Sequence, residues 1–210
     1  MAALRKAVFI AFVLLGLSCG NVLADKQADF LKDLQDRSKS ITSISSEFTQ
    51  QSHIALFSEA VESKGQFYFA RPDNLRWEYS SPFVSGFLLK GEKGMKWDGA
   101  TDKPTKFNTE TSPEMAIISE QILAWTTMNI QWIEKMYSLK VTDYSPAVME
   151  LTPRSSKAGE FLKLIRIYFA PQATHLQSIE LHEPGGDYTK ILFSNVRLNQ
   201  KLPQNIFLNE

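Results

Sequence analysis

Apolar and polar residues alternate along most of this chain, in short runs broken by Gly, Pro, Asn and Asp. A period of two marks β-strands, because successive side chains point to opposite faces. Such runs cover residues 46–57, 64–70, 75–79, 84–90, 94–98 and 104–109, and resume over 138–144, 147–152, 162–169, 176–182 and 188–196. In the first run Phe48, Ile54 and Leu56 share a face. Gly91, Gly94, Gly99, Pro104 and the stretches 153–159 and 184–187 punctuate the pattern. Short strands at even spacing with turn signals predict an antiparallel meander.

Two stretches repeat at the helical period instead. Residues 29–41 place Phe30, Leu31, Leu34 and Ile41 on one face. Residues 112–128 open with Ser112 as N-cap, Pro113 in the first helical position and Glu114 in the first turn. Met115, Ile118, Ile122 and Trp125 then form one stripe, which Ile117 and Leu123 widen. Residues 129–137 either continue as a second short helix or form a loop, and 202–208 hold either a short strand or irregular chain.

The predicted architecture is therefore mainly β: one long antiparallel sheet, with a helix at its start and an apolar helix inserted near its middle. A sheet this long must curl or split to hide its apolar face. Two helices suffice to plug one side of a half-barrel, and an incompletely filled half-barrel holds an apolar ligand.

Residues 65–79, G-Q-F-Y-F-A-R-P-D-N-L-R-W-E-Y, sharpen that picture. Alternation puts Phe67, Phe69 and Arg71 on one face of a strand, and Leu75, Trp77 and Tyr79 on one face of the next. Pro72, Asp73 and Asn74 supply the turn between them. A buried unpaired charge is costly, so a guanidinium closing an aromatic row suits the mouth of an apolar cavity. The candidate wall is Phe48, Phe67, Phe69, Leu75, Trp77, Tyr79, Met95 and Trp97, with Met115, Ile118, Ile122 and Trp125 facing it from the helix. The plainer alternatives are ordinary core packing for the aromatics and a solvated strand-end arginine for Arg71.

The N-terminus reads as an export signal. Arg5 and Lys6 precede an apolar run over 7–17, and Val22 and Ala24 mark a small-residue cleavage site, so residues 1–24 are expected to be removed and 25–210 to form one domain. The rival is lipidation at Cys19, the only cysteine. Cleavage after Ala24 leaves no disulfide and no thiolate. It also leaves 21 basic and 23 acidic side chains, a net charge of −2, which argues against nucleic acid as a partner. No G-x-S-x-G, H-E-x-x-H or phosphate-binding glycine loop is present, and His53, His175 and His182 are scattered. The expectation is a soluble, monomeric periplasmic protein with no cofactor, no metal and no enzymatic activity.

The phrases F-T-Q at 48–50, G-Q-F-Y-F-A-R-P at 65–72, L-R-W at 75–77, G-M-K-W-D-G at 94–99, M-E-L-T-P at 149–153 and F-S-N at 193–195 resemble, in order and spacing, the LolA family of periplasmic lipoprotein carriers. The resemblance implies an unclosed β-barrel covered by helices, with a cavity for acyl chains. It implies a lid over residues 113–128, held shut by Arg71 bonding to backbone carbonyls of that helix, and Trp77 in the cavity wall. It also implies an inner-membrane ABC transporter as supplier and an outer-membrane acceptor. The chain ends at Glu210, short of the Pro-Gly-rich tail of familiar members. LolA-like relatives suggest three alternatives: another lipid or polyene as cargo, a lipid-sensing interaction module, and a LolB-like anchored acceptor that would need a lipidated Cys19.

Overall fold

The computed structural model describes residues 19–56, 59–99 and 103–208. Helix α1 spans Cys19–Lys39 and leads into strands β1 (Ser43–His53), β2 (Val61–Ala70), β3 (Asn74–Ser81), β4 (Ser85–Lys90), β5 (Lys93–Trp97) and β6 (Thr105–Asn108). Helices α2 (Pro113–Thr126) and α3 (Ile130–Met136) follow, then β7 (Tyr137–Tyr144), β8 (Ala147–Pro153), a single turn α4 (Ser156–Gly159), β9 (Leu164–Phe169), β10 (Leu176–His182) and β11 (Tyr188–Leu198). All eleven strands join one antiparallel sheet in the order β6-β5-β4-β3-β2-β1-β11-β10-β9-β8-β7. The edge strands β6 and β7 do not pair with each other, so the barrel is unclosed.

The predicted strands all form, with corrected ends. β1 begins at Ser43 and stops at His53, because its pairing with β2 ends at Ser52 opposite Val61 and its pairing with β11 ends at His53 opposite Tyr188. Ile54 and Leu56 therefore fall outside the strand, and Leu56 is 91% exposed rather than sharing the face of Phe48. α1 starts well before Asp29 and ends before Ile41, whose N–H bonds to the Ser38 carbonyl in the turn that follows. Of the export-signal reading of residues 1–24, residues 1–18 lie outside the described residues and 19–24 form the start of α1. Residues 129–137 resolve as helix α3, because the Asn129 side chain accepts a hydrogen bond from the Trp132 N–H and caps it. Residues 202–208 are irregular. Ile117, expected to widen the stripe of α2, is 60% exposed.

Two apolar clusters support the sheet. One packs Leu31 and Leu34 of α1, Trp125 of α2 and Ile133 of α3 over β7–β10, through Met149, Leu151, Ile165 and Ile167. The other joins Ile44, Phe48, Phe67, Phe69, Leu75 and Trp77 on β1–β3. Gly65 makes the second possible: the Phe48 ring lies where a side chain at 65 would start, so only glycine admits it. At the edge of the first cluster, Gln27 accepts a hydrogen bond from the Val141 N–H of β7 (2.9 Å), which occupies one exposed edge donor. β11 carries a bulge opposite Ser45–Glu47, and Asn195 there takes a left-handed conformation (φ 52°) while its side chain bonds to Glu47.

Candidate functional site

Register turns the alternation of six strands into rows across the concave face. Ser46, Phe67, Trp77, Phe87, Lys96 and Thr105 pair successively from β1 to β6 and form one row. Ile44, Phe69, Leu75, Leu89, Gly94 and Phe107 form the row on one side of it. Opposite these, Ile179, Leu181, Ile191 and Phe193 face inward from β10 and β11, and α1 and α2 complete the enclosure. Between the two apolar clusters lies a cavity of about 820 Å³, within the size range of small-molecule and lipid sites.

Of the residues singled out in the sequence, Phe67, Trp77 and Tyr79 line this cavity, and so do Met115, Ile118, Ile122 and Trp125 of α2. The helical stripe thus faces the cavity. Phe48, Phe69 and Leu75 are at most 1% exposed and act as packing beneath the wall. Met95 is a correction. It pairs with Leu88, on the convex face of the sheet, and lies beneath the C-terminal segment beside Asn205 and Leu208. Trp97, at the end of β5, borders both that groove and the cavity. The Arg76 guanidinium lies 5.0 Å from its ring and donates to the Ile206 carbonyl (3.3 Å), which ties the tail down.

Arg71 is the second correction. Its Nε donates to the Ile41 carbonyl (2.7 Å) and its Nη2 to the Ser38 carbonyl (2.8 Å). These belong to the end of α1 and the turn after it, not to α2. The physical reason is position: β2 ends beside the C-terminus of α1, whose last carbonyls have no helical donor and attract a cation. A link to α2 exists one residue away. The Ser38 hydroxyl lies 2.7 Å from the carbonyl oxygens of both Gln35 and Thr127, and Thr127 is the C-cap of α2. Its single proton serves one of them at a time. Ser38 is 4% exposed and borders the cavity.

The wall is mainly apolar in surface, with polar side chains such as Ser38, Gln50, Lys96, Gln121 and His175 among its lining. Burial pushes the Tyr79 phenol up, and its hydroxyl donates to Gln50 (2.7 Å). Burial pushes the His175 imidazole down, which favours the neutral ring. Ser46 Oγ and Trp125 Nε1 are buried without a hydrogen-bond partner among the described residues. Lys96 projects from β5 in the central row. Among the described residues no cluster of His, Cys, Asp or Glu is placed to hold a metal ion, and no helix is long and apolar enough to cross a membrane. Sequence reasoning missed Ser38, Ser46, Phe87, Lys96 and the inward residues of β10 and β11. Their strands were legible, but which parity faced inward depended on the register.

An unclosed antiparallel sheet curled round an apolar cavity, with helices along its open side, defines the class: a half-barrel with an internal cavity. Residues 39–209 match the family described as outer membrane lipoprotein carrier protein LolA, and the chain belongs to that family. An outer-membrane lipoprotein carrier protein from Alkalilimnicola ehrlichii is 36% identical over 99 residues, a match spanning 47% of this chain and 45% of that one. A protein of the same description from Francisella tularensis subsp. novicida is 23% identical over 86% of this chain and 83% of its own. Among solved structures, an uncharacterized conserved protein from Thermus thermophilus shares the fold with a TM-score of 0.54, at 10% identity over 86% of this chain and 92% of that one.

Proposed function

We propose that this protein is a non-enzymatic periplasmic carrier that takes the acyl chains of a lipidated protein into its cavity and moves them from the inner to the outer membrane. The observation that carries this reading is the cavity of about 820 Å³ walled by aromatic and aliphatic side chains from sheet and helix. Each buried methylene contributes about 0.8 kcal/mol, so a single acyl chain can outweigh the hydrogen bonds that hold the helices against the sheet, at about 1.5–3 kcal/mol for a charge-assisted bond. The closed form is held by Arg71 on the end of α1 and by Ser38 reaching from there to α2. Entry of cargo swings α2 outward and breaks the Ser38–Thr127 contact, and departure of the chains lets it re-form. An inner-membrane ABC transporter supplies the cargo and an outer-membrane acceptor removes it. The names of the curated relatives support this reading.

Native mass spectrometry of protein taken from the periplasm without detergent tests it. A bound species with the mass of a triacylated protein is expected, together with a polypeptide that begins at Asp25. A bound free lipid or polyene would keep the cavity mechanism and change the cargo. The aromatic row of Phe67, Trp77 and Phe87 is the feature that favours that second reading. An empty protein that also refuses an acylated fluorescent probe would overturn both.

A further inference from the structure

The central row of the cavity floor runs from a small hydroxyl through three aromatic rings to a charge, with Thr105 beyond it. From β1 to β6 it reads Ser46, Phe67, Trp77, Phe87, Lys96 and Thr105. Adjacent strands lie about 4.8 Å apart, so an aromatic floor three residues wide leads directly to an ammonium group. A lysine serving only to keep an edge soluble belongs on the convex face, and β5 and β6 already have such residues. Lys93 shares the face of Met95, and Lys106 pairs with Met95 there. Lys96 has the opposite parity and borders the cavity.

The other basic side chains bordering the cavity already have partners. Arg37 is bonded to the Asp33 carboxylate and the Gln172 carbonyl, and a His175 ring nitrogen meets the Thr174 hydroxyl. Asp98 follows two residues on and has interactions of its own. Lys96 thus stands without an ion pair among the described residues, exposed at the end of an apolar floor. We propose that the cavity accepts an acyl chain ending in an anionic group, a phosphate or carboxylate, and that Lys96 binds that group. This rests on the acyl-cavity reading above and adds anionic amphiphiles to the ligands the cavity takes.

Two lipids that differ only in a phosphate test the assignment: 1-oleoyl lysophosphatidic acid and 1-oleoylglycerol, titrated into the purified protein with intrinsic tryptophan fluorescence as readout. The wild type is expected to bind the phosphate-bearing lipid roughly tenfold or more tightly, and the preference is expected to shrink in high salt. Lys96→Met should weaken that lipid alone and leave 1-oleoylglycerol unchanged, while Lys96→Arg should retain the preference. Equal affinity for the two lipids in the wild type, or equal loss of both in Lys96→Met, overturns the assignment and leaves the acyl cavity standing. Saturable binding of inorganic phosphate with the affinity of the lipid also overturns it, since the chain would then be irrelevant. Failure of both lipids to bind overturns the acyl-cavity reading itself.

Discussion

Gly65 shows how closely single residues are constrained here. A methyl group at that position would run into the Glu78 carbonyl oxygen on β3 and the Phe48 ring on β1. Gly65→Ala is expected to destabilise the fold by about 1–3 kcal/mol, as overpacking does, and a denaturant titration would read it. Ser46 is the converse. Its hydroxyl is buried and unpaired among the described residues, and an unmet donor costs about 1–3 kcal/mol. Ser46→Ala should therefore leave stability equal or raise it by about 1 kcal/mol. A loss of stability in the same assay would mean that the hydroxyl has a partner in solution.

The contact between elements on which the proposed mechanism turns is the junction of α1, β2 and α2. Arg71 satisfies two carbonyls at the end of α1, and Ser38 carries the link to the last turn of α2. Removing either should loosen the closed arrangement without dismantling the sheet. Arg71→Leu is expected to keep the fold and retain ligand in the cavity, because the empty closed form loses about 1.5–3 kcal/mol of hydrogen bonding. Ser38→Ala should act in the same direction but more weakly, by about 1 kcal/mol. Hydrogen exchange along α2 reads the effect of both variants. Faster exchange at the C-terminal turn of α2 is expected in both variants, and unchanged ligand release with unchanged exchange would remove this junction from the mechanism.

At the level of the whole molecule, the unclosed sheet is what allows a cavity to persist. Eleven strands curl far enough to bring two apolar clusters face to face, while the unpaired β6 and β7 edges leave the enclosure to α1 and α2. A closed barrel would fill its interior or fix its volume, whereas a wall made of helices can move. Ligand that binds only the folded chain must raise its stability, by about 2.7 kcal/mol at a hundredfold excess over Kd. An acylated probe is therefore expected to raise Tm in a concentration-dependent way, and a flat response would count against carriage.

Local pattern by itself determined the strands, the apolar helix, its inward stripe and the aromatic hairpin of residues 65–79, because side-chain period and turn chemistry are properties of adjacent residues. The ordered phrases from F-T-Q to F-S-N were enough to indicate the family. Other features depended on which segments meet. Met95 alternates like a cavity residue, yet its pairing with Leu88 turns it to the convex face under the tail. Arg71 sits where the pattern put it, but its acceptors are on α1 rather than α2, because the strand ends beside that helix terminus. Lys96 is unremarkable in sequence and becomes the charged end of an aromatic row only when three strand pairings align it with Phe67, Trp77 and Phe87. Period fixes which residues share a face of one strand; only register, a long-range property, decides what that face looks at.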